Sequence, residues 1–221
     1  MLIEVYSDMA CPWCFIGKRR LERAGALRPE LKLDLRWRAF QLNPWMPAEG
    51  MSRGAYLTAK FGSADPGRIY DKIRRIGQDE GVDFAFDRIA RAPNTVDAHR
   101  LTRWASREDP AGGGDRVVEA LFHAYFVEAR DIGALGTLTD IAVETGFERA
   151  GAAAYLAGDI DREHIRAEDG AARQMGIQGV PCFIVDRRYA VSGAQEPEYF
   201  MPLFDLAENP TTAASSQAAA D

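Results

Sequence analysis

The amino-acid sequence predicts an α/β fold in which a large all-helical insertion interrupts a small sheet. Strand patterns occur near the two ends of the chain, at residues 2–6 and 32–38 and again at 180–185 and 189–192. Between about residue 50 and about residue 176 the strand signal disappears, and apolar residues recur at helical intervals between glycines and prolines. This arrangement is typical of one α/β domain that carries a helical insertion.

The chain opens with the strand pattern at residues 2–6, followed by a Cys-Pro-Trp-Cys sequence at 11–14 and a helical pattern that ends at Pro29. Pro12 fits the first helical position, because a residue there needs no N–H for the helix. Residues 32–38 alternate strictly between apolar and charged side chains, which predicts a half-buried strand. Two strands separated by a helix usually lie parallel, so we expect a parallel pair.

The middle of the chain is predicted to consist of helices. The candidates are residues 52–61, 66–80, 94–107, 116–131, 137–146 and 161–175. For the helix at 66–80, Asp65 is the predicted cap and Pro66 the first-turn residue. Asn94 and Thr95 are the predicted caps of the helix at 94–107, and Thr137 or Thr139 is that of the helix at 137–146. Residues 109–115 contain three consecutive glycines and are predicted to form a flexible loop inside this helical region.

Strand patterns return near the C-terminus. Residues 180–185 and 189–192 are separated by three residues, which predicts a hairpin. A closing helix is predicted over residues 196–206, with Tyr199 and Phe200 on its apolar side. The last residues are small and polar and are predicted to form a disordered tail.

The composition excludes several classes of function. A chain of 221 residues with 47% hydrophobic residues can bury a core of its own. Its net charge of -6 is spread without long single-sign runs, which argues against a nucleic-acid-binding face and a polybasic membrane patch. The N-terminus carries no signal-peptide pattern, and no apolar run reaches membrane-spanning length. We therefore expect a cytoplasmic protein without nucleic-acid or membrane partners.

Cys11 and Cys14 are the strongest functional candidates. A position at the start of a helix places Cys11 near free backbone N–H groups and the positive end of the helix dipole, which favour a thiolate. Cys14 lies about one helical turn later, within reach of a disulfide with Cys11. In a reducing compartment such a pair is catalytic rather than structural. The motif therefore predicts two-electron thiol chemistry.

A zinc site and inert structural cysteines are the competing interpretations of the motif. Zinc would need a second pair of ligands at suitable spacing, and only Cys182 and the isolated His99, His123 and His164 remain. We therefore predict no metal.

Several segments together resemble the DsbA-like thiol oxidoreductases, which have a thioredoxin fold with a helical insertion, and most closely their FrnE-type branch. The matching segments are residues 7–18, 40–44, 94–95 with 98–100, 179–181 and 192–195. The resemblance covers nearly the whole chain to about residue 208. It implies a discontinuous thioredoxin-like domain at 1–48 and 177–208, a helical insertion subdomain at 49–176, and a tail at 209–221.

The resemblance implies that the Val180–Pro181 peptide bond is cis and lies against the cysteine pair. On the sequence alone, a trans proline at a strand edge is equally compatible. A cis bond before proline is only about 0.5–1 kcal/mol less stable than trans, and it would present the Val180 backbone to a substrate strand. We therefore expect Pro181 to belong to the catalytic site, and Val180, Pro12 and Trp13 to contact substrate. For Trp13, a packing role is the alternative.

The roles of Cys182 and His99 stay open at this point. Cys182 follows Pro181, where this branch usually carries an apolar residue. We favour a buried, inert thiol over a backup resolving thiol or a metal ligand, because free cysteine is among the most buried residue types. His99 matches a family position on a helix that approaches the active-site cleft, which makes it a candidate substrate-binding residue. A histidine packed between helices is the alternative interpretation.

The predicted activity is that of a thiol–disulfide oxidoreductase, which acts on a protein or small molecule that contains a thiol or disulfide. The alternative is a glutathione-dependent isomerase or transferase of the 2-hydroxychromene-2-carboxylate isomerase or kappa type. Those enzymes resemble this chain in layout but generally carry serine at the position of Cys11. A non-catalytic binding module is the third interpretation. No cofactor is predicted beyond glutathione as a reductant or co-substrate, and homodimers are common among relatives.

Overall fold

The computed structural model describes residues 1–63 and 67–209, and a four-stranded sheet lies at its centre. The strands are β1 (Leu2–Ser7), β2 (Asp34–Ala39), β3 (Met51–Ser52), β4 (Arg91–Ala92), β5 (Cys182–Val185) and β6 (Tyr189–Ser192). The strand order in the central sheet is β2-β1-β5-β6. β1 and β2 are parallel, whereas β5 is antiparallel to both β1 and β6. The predicted parallel pair and C-terminal hairpin are therefore confirmed.

Most helices of the described residues lie between β2 and β5 in the chain. They are α1 (Pro12–Leu27), α2 (Arg53–Phe61), α3 (Arg68–Asp79), α4 (Val96–Glu108), α5 (Gly113–Phe126), α6 (Leu135–Glu144), α7 (Arg149–Ala157), α8 (Arg162–Gln174) and α9 (Met201–Glu208). The predicted α/β class with a large helical insertion is therefore confirmed. No helix in this part of the chain combines the length and apolar character needed to cross a lipid bilayer.

The structure corrects several predictions inside the insertion. β3 and β4 form a small antiparallel pair where no strand was expected, because two-residue strands carry no periodic pattern. α7 was also missed, since its run of alanines gives little contrast between an apolar and a polar face. α6 begins at Leu135, so Thr137 and Thr139 lie inside the helix instead of capping it. The Thr139 hydroxyl donates to the Leu135 carbonyl at 2.8 Å.

Two predicted helix starts have different outcomes. The N-cap of α4 is Thr95, whose side chain makes no capping hydrogen bond, whereas the side-chain oxygen of Asn94, one residue earlier, accepts a hydrogen bond from the Val96 N–H at 3.0 Å. Asp65 and Pro66 lie outside the described residues, as does the tail from residue 210 onward.

The clearest correction concerns residues 109–115, which were expected to be a flexible loop. α5 already begins at Gly113, and Gly113 and Gly114 are both buried. A Cβ atom on Gly113 would lie 2.6 Å from the Ala105 carbonyl oxygen, and one on Gly114 would lie 2.0 Å from the Ser106 hydroxyl oxygen. These glycines therefore allow α5 to approach α4 closely.

The closing helix also differs from its prediction. A short 3-10 turn at Pro197–Tyr199 precedes α9, which begins at Met201. Phe200 is fully buried, as expected, but Tyr199 is 63% exposed and does not belong to the core. The turn rotates Tyr199 away from the sheet, which a continuous helical pattern could not reveal.

Both faces of the central sheet are covered. On one face, Ile3 and Phe183 pack with α1 and α9 in one apolar cluster. On the other face, Tyr6 and Cys182 pack against α8 in a second cluster. α1 therefore lies on the face opposite to α8, and the residues at its start lie at the edge where β1 ends.

α1 also connects the sheet to the helical insertion. Phe15 stacks on Phe122 of α5 with 5.2 Å between ring centroids and meets the edge of Phe84 at 6.2 Å. The same apolar cluster contains Cys11 and Cys14. The hydrophobic core is therefore continuous from the cysteine pair into the insertion.

Candidate active site

The loop between β1 and α1 is held by Asp8, which is 1% exposed. Its side-chain oxygens accept hydrogen bonds from the backbone N–H of Ala10 at 3.0 Å and of Leu42 at 2.7 Å. Its carbonyl oxygen accepts the N–H of Cys11 at 3.0 Å. This role was not predicted from the sequence, although Asp is a residue that commonly hydrogen-bonds the backbone in such turns. Asp8 fixes the position from which Cys11 enters the helix.

Cys11 is the N-cap residue of α1 and Pro12 is the first helical residue, as the motif predicts. The Cys14 N–H donates to the Cys11 carbonyl at 3.1 Å, so the two residues lie on one turn. Both are free thiols, and the Cys11 sulfur lies close enough to Cys14 to affect the pKa of its thiol. The two cysteines are therefore close enough for chemistry between them.

The two thiols have different surroundings, and Cys14 is the more deeply buried at 1% exposure. Burial raises the pKa of Cys14 well above its usual value, and the neighbouring Cys11 sulfur raises it further. The Ser7 side chain and the Asp8 backbone act in the opposite direction but do not outweigh burial. Cys14 therefore keeps its proton at neutral pH, which suits the second thiol of a pair rather than the first.

The Val180–Pro181 segment lies against the start of α1. Its peptide bond is cis. The Cys11 thiol donates to the Val180 carbonyl oxygen at 3.7 Å, which brings the segment to the reactive end of the pair. Pro181 rests on Gly17, where an added Cβ atom would lie only 2.7 Å from the proline Cγ. Gly17 thus permits this contact, and sequence analysis gave it no separate role.

A cleft of about 180 Å³ opens beside Cys11. Its described lining residues are Ala10, Cys11, Pro12, Trp13, Leu42, Arg53, Tyr56, Lys60, Phe61, Ile69, Tyr70, Ile73 and Phe126. Pro12 and Trp13 are half-buried at its wall, so both can contact a bound molecule, and Trp13 also packs against the main core. The cleft wall opposite the cysteine comes from α2 and α3 of the insertion.

Arg53 and Lys60 of α2 give this cleft a positive charge, which sequence analysis did not anticipate. Arg53 lies between the rings of Tyr56 and Tyr70, with its guanidinium carbon 5.5 Å and 5.2 Å from their centroids. The Lys60 ammonium donates to the Tyr56 hydroxyl at 2.8 Å. In sequence these two residues belong to an ordinary charged helix, and only the packing of α2 brings them to Cys11.

His99 does not line the cleft beside Cys11. It is buried in α4 and borders a separate cavity of about 180 Å³, together with side chains of β2 and α8. Burial lowers the pKa of His99, although nearby carboxylates such as Asp8 and Glu168 oppose this shift. The imidazole is therefore neutral at physiological pH and sits in a packed layer between helices.

Cys182 also lies apart from the pair. It begins β5 opposite Tyr6 and packs in the apolar cluster on the α8 side of the sheet, whereas Cys11 begins the helix that covers the other side. Burial raises the pKa of Cys182 and keeps it a neutral thiol. This is the placement that the buried, inert interpretation predicts. Within residues 1–63 and 67–209, no group of histidine, cysteine and carboxylate side chains is arranged to hold a metal ion.

Solved structures with different chemistry share this fold. A probable DsbA oxidoreductase from Streptomyces coelicolor is 32% identical, with a TM-score of 0.83 over 94% of this chain and 89% of that chain. The cytosolic disulfide reductase DsbM from Pseudomonas aeruginosa, solved with GSH, is 20% identical, with a TM-score of 0.66 over 93% and 98% of the two chains. A 2-hydroxychromene-2-carboxylate isomerase is 16% identical, with a TM-score of 0.66 over 97% and 98%.

The last two similarities show the fold alone, because the same architecture carries a disulfide reductase in one case and an isomerase in the other. The family assignment rests on the sequence. The model of the DSBA-like thioredoxin domain matches residues 2–203 of this chain. The predicted resemblance is therefore confirmed at the level of the family, and the chain belongs to the DSBA-like thioredoxin-domain proteins.

Proposed function

We propose that this protein is a thiol–disulfide oxidoreductase that uses Cys11 as the attacking thiol and Cys14 as the resolving thiol. The observation that carries the proposal is the pair itself: two free thiols on the first turn of one helix, with a cleft open beside the first. In this mechanism Cys11 attacks a substrate sulfur as a thiolate and forms a mixed disulfide, and one substrate thiol leaves.

Cys14 completes the reaction by attacking the Cys11 sulfur. The second substrate thiol then leaves, and a Cys11–Cys14 disulfide remains. The substrate disulfide gains two electrons and the protein dithiol loses two. The reversed steps oxidise a substrate dithiol, so the direction depends on the redox poise of the surroundings. Because burial keeps Cys14 protonated, it does not compete with Cys11 for the first attack.

The Val180–Pro181 segment supports this assignment by its position. Its carbonyl oxygen already accepts a hydrogen bond from the Cys11 thiol, so a substrate that reaches Cys11 also meets this backbone. We propose that Val180 and the neighbouring Trp13 orient the substrate while Pro181 maintains the approach to the thiol. The FrnE-type branch, a cytoplasmic location and a homodimer stay predictions of the sequence.

A glutathione-dependent isomerase or transferase, the alternative prediction, would use an activated bound thiol and would not need a second cysteine. The buried free thiol of Cys14, one helical turn from Cys11, favours the redox function over this alternative. The two functions separate cleanly by experiment, because only the redox function needs Cys14.

The test is insulin disulfide reduction with wild-type protein, Cys11→Ser and Cys14→Ser, and with Cys182→Ala as the matched control. We expect Cys11→Ser to abolish activity, and Cys14→Ser to accumulate a covalent mixed disulfide that non-reducing electrophoresis detects. Cys182→Ala should behave as the wild type. Full activity of the Cys11 variant would reject the proposal, and full activity of the Cys14 variant would favour the glutathione-dependent alternative.

A further inference from the structure

The cleft beside Cys11 carries two cations, and none of its described lining residues is a carboxylate. Arg53 donates to the hydroxyls of Tyr70 and Tyr125, and the second of these contacts is 3.4 Å long. Within residues 1–63 and 67–209, neither Arg53 nor Lys60 forms an ion pair. Most arginines of this protein, by contrast, are paired with aspartate or glutamate, as Arg20 is with Glu80.

The tyrosine partners do not cancel the charge of Arg53. Burial raises the pKa of Tyr70 to about 12 and raises the pKa of Tyr125 as well, so both hydroxyls stay neutral at physiological pH. They hold the guanidinium in place between aromatic faces without neutralising it. The Arg53 Nε–H is buried and has no hydrogen-bond partner among the described residues. The guanidinium is therefore held in position without an anionic partner among the described residues.

We infer that this cleft selects a low-molecular-weight disulfide that bears a carboxylate, with the anionic group held by Arg53 and Lys60 while a substrate sulfur meets Cys11. The inference rests on the proposed function and adds the charge and size of the substrate. A carboxylate is the complement of a guanidinium and an ammonium that lack an anionic partner. The helices α2 and α3 close the far wall of the cleft, which favours a small molecule over a folded protein surface.

The chemistry on such a substrate balances without any further reagent in a single turnover. Cys11 breaks the substrate S–S bond and releases one carboxylate-bearing thiol, and Cys14 then releases the second. One protein dithiol and one substrate disulfide become one protein disulfide and two substrate thiols. Arg53 and Lys60 touch only the anionic group and take no part in the bond changes.

The test uses three disulfides of similar length that differ in charge: 3,3′-dithiodipropionate, which carries two carboxylates, the neutral 2-hydroxyethyl disulfide, and cystamine, which carries two ammonium groups. Reduced wild-type protein is mixed with each at low ionic strength, and the second-order rate constant is followed by stopped-flow tryptophan fluorescence. Each rate constant is divided by that of the same disulfide with free dithiothreitol, which removes differences in intrinsic reactivity.

We expect the corrected rate constant to be about tenfold larger for the dianion than for the neutral disulfide, as charge-assisted hydrogen bonds imply, and smallest for cystamine. Lys60→Met and Arg53→Met should each lower the ratio of dianion to neutral rate. Since Arg53 packs among tyrosines, the exposed Lys60 provides the variant that is least prone to misfold. Lys72→Met is the matched control, because Lys72 is an exposed cation on α3 that does not line the cleft.

The outcomes separate the two proposals. Failure of the wild type to react with 2-hydroxyethyl disulfide would overturn the proposed function. Reaction with all three disulfides at equal corrected rates would leave that function standing and overturn the inference. A loss of the ratio in Lys72→Met as large as in Lys60→Met would also overturn it, because the preference would then come from the overall charge of this region.

Discussion

At the scale of single residues, His99 is a candidate site residue in the sequence that the fold buries away from Cys11. Its position on α4 made it a candidate for the active site, but its side chain is 3% exposed and its Nε2 atom has no hydrogen-bond partner among the described residues. Burial is the main cause of its lowered pKa. The folded protein therefore resists protonation of this imidazole, which links its stability to pH.

This linkage gives a prediction with a defined sign. Below pH 6.5, the ordinary pKa of histidine, the unfolded chain binds a proton at His99 that the folded chain does not bind. We expect the free energy of unfolding to fall as the pH is lowered from about 7 to about 5, and this residue contributes at most about 1.4 kcal/mol per pH unit. In urea unfolding, the free energy of unfolding of His99→Gln should depend less steeply on pH than that of the wild type.

The control for this measurement is His164→Gln, because His164 is exposed on α8. We expect this variant to keep the wild-type slope. Equal slopes in the wild type and His99→Gln would contradict the role assigned to burial.

At the scale of elements, the contact between α1 and the Val180–Pro181 segment positions the site. Gly17 lies one turn after the cysteine pair, and it leaves room for Pro181 and for Phe183 of β5. A Cβ atom at this position would lie 2.7 Å from the proline Cγ and 3.1 Å from the Phe183 Cζ. The spacing between α1 and the Val180–Pro181 segment therefore depends on residue 17 being a glycine, which has no side chain.

Gly17→Ala should accordingly move the Val180 carbonyl away from Cys11. We expect a loss of about 1–3 kcal/mol in the free energy of unfolding, as is typical of overpacked sites, together with slower reaction of Cys11 with 2-hydroxyethyl disulfide. Gly136→Ala on α6 is the control, because a Cβ atom there meets nothing within 4 Å, and alanine favours a helix. Wild-type stability and rate in Gly17→Ala would show that the contact does not position the site.

Local sequence patterns define some of these elements, whereas long-range packing decides others. The strand before the Cys-Pro-Trp-Cys motif and the helix after it were predicted because local periodicity and capping chemistry define them. The start of α5 was missed, since a glycine run indicates a loop unless the neighbouring helix α4 is known to need the space. Arg53 and Lys60 were missed for a related reason: only long-range packing places α2 beside Cys11.

At the scale of the whole molecule, one apolar cluster joins α1, the helix that carries the cysteine pair, to the insertion. Phe15 of α1 packs with rings from α5 and from the loop after α3, and the cluster continues through α4 and α6. We therefore expect the insertion to unfold together with the sheet in a single cooperative transition. Tryptophan fluorescence and far-UV circular dichroism, recorded in parallel during urea unfolding, should give superimposable curves.

Two separate transitions would contradict this expectation. They would instead favour independent folding of the helical segment at 49–176 and of the remainder at 1–48 and 177–208. The comparison therefore also tests the domain division that the sequence predicts.

We propose that Cys11 and Cys14 form one redox pair and that Cys182 stands apart from it. This pairing can be determined by mass spectrometry of protein that has been oxidised with 2-hydroxyethyl disulfide and digested without reduction. We expect a peptide that contains a Cys11–Cys14 disulfide, and a second peptide in which Cys182 is a free thiol. A substrate adduct that persists on Cys11 beside a free Cys14, or any linkage through Cys182, would contradict it.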